Sequence, residues 1–325
     1  MRELEVIERL RRIATAPEAR GLLDDVAVLG GFVVTHDTIA EGVHFLPHDP
    51  PASVGWKLVA VNLSDLAAKG AEPAGALLSL TISGPGEWEL AFLGGIEAAC
   101  ESYGLALIGG DTIGLPVGAP RVLGLTAIGR AGERVPERAG AQAGDALWLV
   151  GTLGDAAAGL DLLALDRNAD GPLVDIYRRP VPQLEAGRVV APHAHAMMDV
   201  SDGLLLDARR MADASRSAFT IDLDRLPLSS AFVAERGQDL GNRLFAATGG
   251  DDYALLAALP AEFDPATLSL PSGTRITRIG RIAGAGPRLS LTSRGAPVQL
   301  PERLGFEHEG TDSRRLSASP IGNRP

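Results

Sequence analysis

The sequence predicts an α+β chain built from two α/β domains. At 325 residues it is too long for one small core and suits two domains of ordinary size. Short apolar runs of strand length alternate with helical patterns, and a polar, glycine-rich stretch from 129 to 145 interrupts that alternation. We therefore predict an N-terminal domain over 1–138 and a C-terminal domain over 139–309. The polar, proline-flanked residues 310–325 are predicted to form a disordered tail.

Five strands and two helices are predicted in the first half. The helix Ala52–Lys69 follows a proline pair and ends before Gly70, and the helix Glu87–Tyr103 ends at Gly104, as helices often begin and end. The strands are Val26–Leu29, Phe32–Asp37, Gly75–Ile82, Leu105–Gly109 and Val122–Ile128.

The alternation restarts after the polar stretch. The predicted strands are Leu147–Val150, His195–Val200, Ala218–Leu223, Tyr253–Ala258 and Arg275–Ile282. The predicted helices are Asp155–Leu165, Gln183–Val190 and Leu204–Ala212.

Charge and composition exclude several classes of partner. A formal net charge of −11 argues against nucleic acid and anionic membranes. No run approaches the ~20 apolar residues of a membrane span, and the charged N-terminus lacks the apolar core of a signal peptide. The single cysteine, Cys100, fits a reducing compartment, so we predict a cytoplasmic protein. Lys57 and Lys69 are the only lysines, which makes a lysine-based phosphate site improbable.

Aspartates recur at or just after apolar runs, usually beside glycine, serine or threonine. The motifs are LLDDVAVL with Asp24 and Asp25, VVTHDTIAEGVHF with Asp37, VNLSDLAAKGAEP with Asp65, LIGGDTIG with Asp111, MMDVSDGLLLD with Asp199 and Asp202, and TGGDDYALL with Asp251 and Asp252. Each alone has an ordinary explanation in turn or cap chemistry. Asp202 could cap the helix that starts at Leu204, and Asp65 could form a surface ion pair with Lys69.

Taken together, the aspartates indicate a metal site that handles phosphate. Carboxylates at strand ends point into the crevice where open α/β sheets bind ligands. Several of them would repel one another unless cations lay between them, and oxygen ligands suit magnesium with bound phosphates. Glycines beside them allow the backbone to approach a phosphate closely.

Other catalytic classes lack their motifs. The chain has no GxxxxGK[ST] phosphate loop, no protein-kinase signature, no GxGxxG and no GxSxG. DRNADG, from Asp166 to Gly171, imitates the start of a calcium loop, but Tyr177 occupies the position that needs a glutamate. We interpret it as a turn that ends a helix.

The ordered set of motifs closely resembles the thiamine-monophosphate kinase family, with VNLSDLAAKGAEP the most specific match. That family belongs to a superfamily with aminoimidazole ribonucleotide synthetase. The resemblance extends from about Asp24 to Phe306. It implies an N-terminal aminoimidazole ribonucleotide synthetase-like domain whose mixed sheet forms a barrel across a homodimer, and a C-terminal α/β domain that covers the site. It also implies a direct, in-line transfer of phosphate from ATP to thiamine monophosphate, supported by several Mg²⁺ ions.

The resemblance also implies a role for individual residues. The metal ligands it implies are Asp25, Thr35, His36, Asp37, Asp65, Asp111, Asp199 and Asp202. The ATP contacts are Gly110, Asp111, Arg138 and Ser201. The acceptor contacts are His44, Asp251 and Phe306. No general base is implied, because the acceptor phosphate is already ionised near pH 7. Charge stabilisation by Asp37, Asp111 and Arg138 is expected instead.

The chain departs from the family pattern in four places. Leu23 replaces a glycine, His36 replaces a threonine or serine, the basic residue that often follows GGDT is absent, and Asp251 replaces a glutamate. Two alternatives therefore stay open. One is an enzyme of the same superfamily acting on another small phosphorylated substrate, and the other is a non-catalytic nucleotide- or metal-binding paralogue.

Overall fold

The computed structural model describes residues 3–307, and the chain folds around two β-sheets. The predicted tail, 310–325, lies outside the described residues. The helices are α1 Glu3–Arg11, α2 Pro51–Ala68, α3 Glu87–Tyr103, α4 Asp155–Leu165, α5 Pro172–Arg178, α6 Leu184–Val190, α7 Leu204–Ala214, α8 Ser230–Arg236 and α9 Leu240–Thr248. The strands are β1 Ala27–Leu29, β2 Phe32–Ala40, β3 Glu72–Ile82, β4 Leu107–Gly114, β5 Val122–Arg130, β6 Ala146–Val150, β7 Ala196–Val200, β8 Ala218–Asp222, β9 Ala254–Leu259, β10 Ile276–Ala283, β11 Leu289–Ser293 and β12 Ala296–Val298.

The N-terminal sheet has the order β1-β2-β5-β3-β4. Only β3 and β4 among these strands run parallel, and α3 makes the crossover between them. Strand β4 forms one edge of the sheet, and all eight of its residues are exposed. Leu107, Ile108 and Ile113 are therefore apolar side chains on an unpaired edge.

The C-terminal sheet has the order β12-β11-β8-β10-β6-β9-β7. Strands β6, β9 and β7 lie next to one another, and every residue in them is buried. Burial on both faces explains why these strands read as continuous apolar runs in the sequence.

Helix α2 lies between the two sheets and belongs to the core of both. It is buried at 15 of its 18 residues, and it contacts β2, β3 and β5 on one side and β7 and β9 on the other. A single apolar cluster joins residues of both sheets through it. The helix must therefore satisfy its polar side chains inside the protein, because few of them can reach water.

Glycines allow α2 to pack closely on its neighbouring helices. A Cβ on Gly95 of α3 would lie 1.9 Å from the carbonyl oxygen of Ala52, and a Cβ on Gly187 of α6 would lie 2.0 Å from that of Ala67. No described helix is both long and apolar enough to cross a membrane.

Most predicted elements of the sequence are confirmed, and α3 and α4 match to the residue. Strands β2 and β4 continue further than predicted, because their backbones keep pairing with β5 and β3. Asp37 and Asp111 therefore lie within strands, and the expectation that they lie at or just after strand ends was wrong. The elements that were missed are α1, α5, α8, α9, β11 and β12. DRNADG lies between α4 and α5, as the interpretation as a turn requires.

We predict that Gly95→Ala destabilises the protein by about 1–3 kcal/mol, because the new methyl group forces α3 away from α2. Gly94→Ala is the matched control, since a Cβ on Gly94 meets nothing within 4 Å. That change should be neutral or stabilising by up to ~1 kcal/mol, as helical glycine-to-alanine changes are. Urea unfolding measures both variants, and equal stabilities would contradict the close packing of α2 on α3.

Candidate active site

Three aspartates from three separate elements form a compact carboxylate centre. Asp25 precedes β1, Asp65 belongs to α2 and Asp199 belongs to β7. One carboxylate oxygen of each lies within 4.8 Å of those of the others. The centre thus joins the N-terminal sheet, the shared helix and the C-terminal sheet.

Hydroxyl groups orient two of these carboxylates. Thr35 donates a hydrogen bond to Asp65, and the hydroxyl of Ser64 donates to Asp199 over 2.7 Å. Ser64 and Asp65 are neighbours on α2, so their side chains leave the helix in different directions and reach different sheets.

Burial and mutual repulsion oppose ionisation of the carboxyl groups in the centre. Burial raises the pKa of Asp65 well above its usual range, and the neighbouring charges of Asp37, Asp199 and Asp25 raise it further. The pKa of Asp199 is also raised well above its usual range, mainly by burial and next by the charge of Asp25. For Asp37, burial and then Asp25 and Asp202 raise the pKa to about 6.

The donor set fits a hard divalent cation. The ligands on offer are carboxylate oxygens, and one buried oxygen of Asp25 has no hydrogen-bond partner among the described residues. A cation placed among the three carboxylates would supply that partner and remove the repulsion that raises their pKa values.

Asp37 lies beside the centre and is held through its backbone. Its N–H donates to the side-chain oxygen of Asn62 over 2.9 Å, and Asn62 in turn donates to the carbonyl of Leu58 over 2.9 Å. Asn62 is fully buried on α2, one turn before Asp65. The helix therefore fixes the position of β2 at Asp37.

Two arginines bring positive charge to the same region. Arg138, from the connection between the sheets, pairs with Asp25. Arg210 on α7 pairs with Asp202 at 2.5 Å and with Asp207 at 3.0 Å. Asp202 therefore does not cap α7, whose N-cap residue is Gly203, and the ordinary explanation for Asp202 as a cap was wrong.

Lys69 stabilises the turn that carries the first aspartate pair. It is fully buried and pairs with Asp24 at 2.6 Å, and it donates to the carbonyl of Met197 over 3.0 Å. Burial alone would raise the pKa of Asp24, but Lys69 and Arg20 outweigh it and hold the pKa below its usual value. The alternative of a surface pair between Asp65 and Lys69 was wrong, because both side chains are buried.

A second group of predicted residues lies around Asp251. Its backbone N–H donates to the carbonyl of Ser201 over 2.8 Å, which joins it to the turn that holds Asp202. Its carboxylate pairs with Lys57 at 2.6 Å. The same lysine donates over 3.0 Å to the carbonyl of His44, so the predicted acceptor residues Asp251 and His44 share one partner.

Other predicted residues lie outside the carboxylate centre. The imidazole of His36 is exposed and lies 2.9 Å from the hydroxyl of Thr126, on the face of β2 opposite Thr35. Gly110 and Asp111 lie on the exposed edge strand β4. Phe306 is half-exposed, and its backbone N–H donates to the carbonyl of Asp202 over 2.9 Å.

Several contributing residues were missed from the sequence. The polar partners are Lys57, Asn62, Ser64, Lys69, Asp207, Arg210 and Tyr253. The sequence of α2 did contain a signal that could have identified some of these residues. Polar residues at several positions of a helix that is otherwise apolar all round indicate buried polar groups, which need partners within the protein.

Comparison with known proteins agrees with this organisation. Residues 23–131 match the family model of the AIR synthase related protein, N-terminal domain, and residues 142–291 match the model of its C-terminal domain. Thiamine-monophosphate kinase of Caulobacter vibrioides is 36% identical, with 94% of this chain and 90% of that protein covered. The Salmonella typhimurium enzyme of the same name is 36% identical, with 90% and 92% covered.

Solved structures show the same fold over nearly the whole chain. A structure of AaThiL complexed with AMPPCP and TMP gives a TM-score of 0.81 at 30% identity, covering 95% of this chain and 97% of that one. Thiamine monophosphate kinase from Aquifex aeolicus gives a TM-score of 0.78 at 30% identity, covering 92% and 100%. With two matched domains, relatives above 30% identity and the fold in common, the chain belongs to the thiamine-monophosphate kinase family.

Proposed function

We propose that this protein transfers the terminal phosphate of ATP to thiamine monophosphate, giving ADP and thiamine diphosphate. The observation that carries the proposal is the carboxylate centre of Asp25, Asp65 and Asp199, which two domains and their shared helix build in a chain of this family. The neighbour complexed with AMPPCP and TMP supports ATP as co-substrate and a phosphorylated acceptor.

We assign Mg²⁺ to the carboxylate centre, with several ions as the family resemblance implies. Asp25, Asp65 and Asp199 would hold one ion, and Thr35, the backbone of His36, Asp37, Asp111 and Asp202 are the further proposed ligands. Mg²⁺ held by these residues would neutralise negative charge on the phosphates during the transfer.

The chain's own residues position the reactants. Arg138 lies at the centre and can make a bidentate, permanently charged contact with a phosphate. Gly110, Asp111 and Ser201 are the other proposed ATP contacts, and Asp37 and Asp111 are proposed to stabilise charge with Arg138. No general base is required, because the acceptor oxygen is ionised. His44, Asp251 and Phe306 are the proposed acceptor contacts.

A homodimer is part of the proposal. The edge strand β4 is exposed along its length and carries Leu107, Ile108 and Ile113, which supports pairing with a second copy into a barrel. Because Gly110 and Asp111 lie on that strand, pairing would place them at the subunit interface. A cytoplasmic location stays a prediction, supported by the need for ATP.

The first test is ADP release from ATP and Mg²⁺ with thiamine monophosphate, thiamine and other phosphate monoesters as acceptors. We expect release with thiamine monophosphate that is well above that with the other compounds. Turnover with a different phosphate monoester alone would favour the superfamily enzyme with another substrate. Saturable ATP binding without turnover on any acceptor would favour the non-catalytic paralogue.

We predict that Asp65→Asn and Asp37→Asn each lower kcat by at least ~100-fold, because each removes charge that holds the metal at the reacting phosphates. Asp213→Asn is the control, since Asp213 is half-exposed and pairs with Arg209 on the surface of α7. That variant should retain wild-type kcat. Steady-state ADP release measures all three, and near-normal turnover in the first two would refute the metal centre.

Without divalent cations, we predict that stability falls as pH rises from about 4 to about 6. Native Asp37 keeps its proton up to about pH 6, whereas an unfolded aspartate loses it near ~3.9. Between these values the native state binds more protons, so raising the pH lowers the free energy of unfolding.

Thermal unfolding in EDTA across this pH range should show the fall in Tm. Saturating Mg²⁺ should make that fall smaller, because the cation replaces the protons on the carboxyl groups. Asp37→Asn, which cannot titrate there, should make the EDTA profile less steep, while the raised pKa values of Asp65 and Asp199 preserve part of the slope. A profile that is the same with EDTA and Mg²⁺ would contradict metal binding by these carboxylates.

A further inference from the structure

Lys57 is a buried cation that links two parts of the site and has no role in the function proposed so far. It lies on α2, and its side chain is 2% exposed. Its ammonium group lies 2.6 Å from Asp251, 3.0 Å from the carbonyl of His44 and 4.2 Å from the ring centre of Tyr177. Since a buried ammonium is costly unless paired, these contacts are required for its burial.

Asp251 is held in one orientation by two donors. Lys57 bonds one carboxylate oxygen, and the hydroxyl of Tyr253 donates to the other over 2.9 Å. The backbone of Asp251 is in the left-handed region, with φ 66°, a conformation that is uncommon for residues other than glycine but that aspartate adopts more readily than most. The side chain is still 29% exposed, and a carboxylate has lone pairs beyond the two that these donors occupy.

The three partners of Lys57 come from different parts of the fold. His44 belongs to the connection between β2 and α2, Asp251 precedes β9, and Tyr177 belongs to α5. The lysine therefore ties the connection of the N-terminal sheet to the C-terminal sheet beside the turn at Ser201.

We propose that Lys57 is the positioning residue of the acceptor site. It holds the Asp251 carboxylate in one orientation and holds the His44 backbone beside it, so that the carboxylate can accept from an N–H donor or face the cationic ring of the acceptor. This inference rests on the proposed function for the identity of the acceptor. Lys57 itself is too deeply buried to contact substrate.

The proposal predicts a selective kinetic defect in Lys57→Met, which keeps the aliphatic stem and removes the charge. The KM for thiamine monophosphate should rise about 10-fold or more, as expected for the loss of a charge-assisted contact, while the KM for ATP stays within about 2-fold. Calorimetric titration with thiamine monophosphate, which does not depend on turnover, should show the same loss of affinity.

A double-mutant cycle tests whether Lys57 acts through Asp251. In the Asp251→Asn background, adding Lys57→Met should lower the affinity for thiamine monophosphate by much less than Lys57→Met does alone, because only the carbonyl of His44 is then left for the lysine to hold. Each single variant leaves the charge of the other residue without its ion-pair partner, and the double variant removes both charges. The double variant therefore distinguishes loss of positioning from loss of folding. Additive effects of the two changes would overturn the proposal.

Arg178→Met is the matched control. Arg178 on α5 pairs with the buried Asp49 at 2.9 Å and so also joins the two parts of the chain, but its ion pair is with Asp49 and not with Asp251. The Arg178→Met variant should have a lower Tm and an unchanged KM for thiamine monophosphate. An equal rise in acceptor KM in Arg178→Met would assign the effect to general loosening and overturn the proposal.

The inference and the proposed function fail in different ways. Binding of thiamine monophosphate that depends on Lys57 without ADP release would refute the function and retain the inference. Normal turnover with an unchanged acceptor KM in Lys57→Met would retain the function and refute the inference. No binding by the wild-type protein would refute both.

Discussion

The structure depends on one constraint, which is that α2 is buried between two sheets while carrying polar side chains. Each buried polar group needs a partner, and the partners come from both sheets. Asn62 binds the backbone at Asp37, Ser64 binds Asp199 and Lys69 binds Asp24. The hydrogen bonds that make burial of α2 possible are thus the same ones that assemble the carboxylate centre. Stability of the domain contact and geometry of the site follow from the same set of bonds.

The distribution of charge explains what the centre requires. Lys57 lies within α2 and Lys69 is its C-cap residue, and each pairs with an aspartate outside the centre, Asp251 for Lys57 and Asp24 for Lys69. Arg138 pairs with Asp25, while among residues 3–307 the side-chain donors to Asp65 and Asp199 are hydroxyl groups. Negative charge therefore exceeds positive charge where ATP phosphates would add more. Divalent cations supply the missing charge more readily than the chain could.

Local patterns in the sequence predicted most of the fold, and motif order predicted the family. Apolar runs and glycine boundaries placed α3 and α4 well, because local signals decide those elements. The extent of β2 and β4 depended on pairing with strands distant in sequence, so polar Asp37 and Asp111 misleadingly suggested strand ends. Proximity of Asp25, Asp65 and Asp199 was foreseen from the motifs. The partners Lys57 and Lys69 were missed, because their burial is set by tertiary packing and not by spacing.

The most direct test of this account is a crystal structure of the protein grown with Mn²⁺, which substitutes for Mg²⁺ and gives a strong anomalous signal. The account predicts an anomalous peak bound by carboxylate oxygens of Asp25, Asp65 and Asp199, and its loss in Asp65→Asn. A well-ordered structure at saturating Mn²⁺ with no peak among these three carboxylates would contradict it.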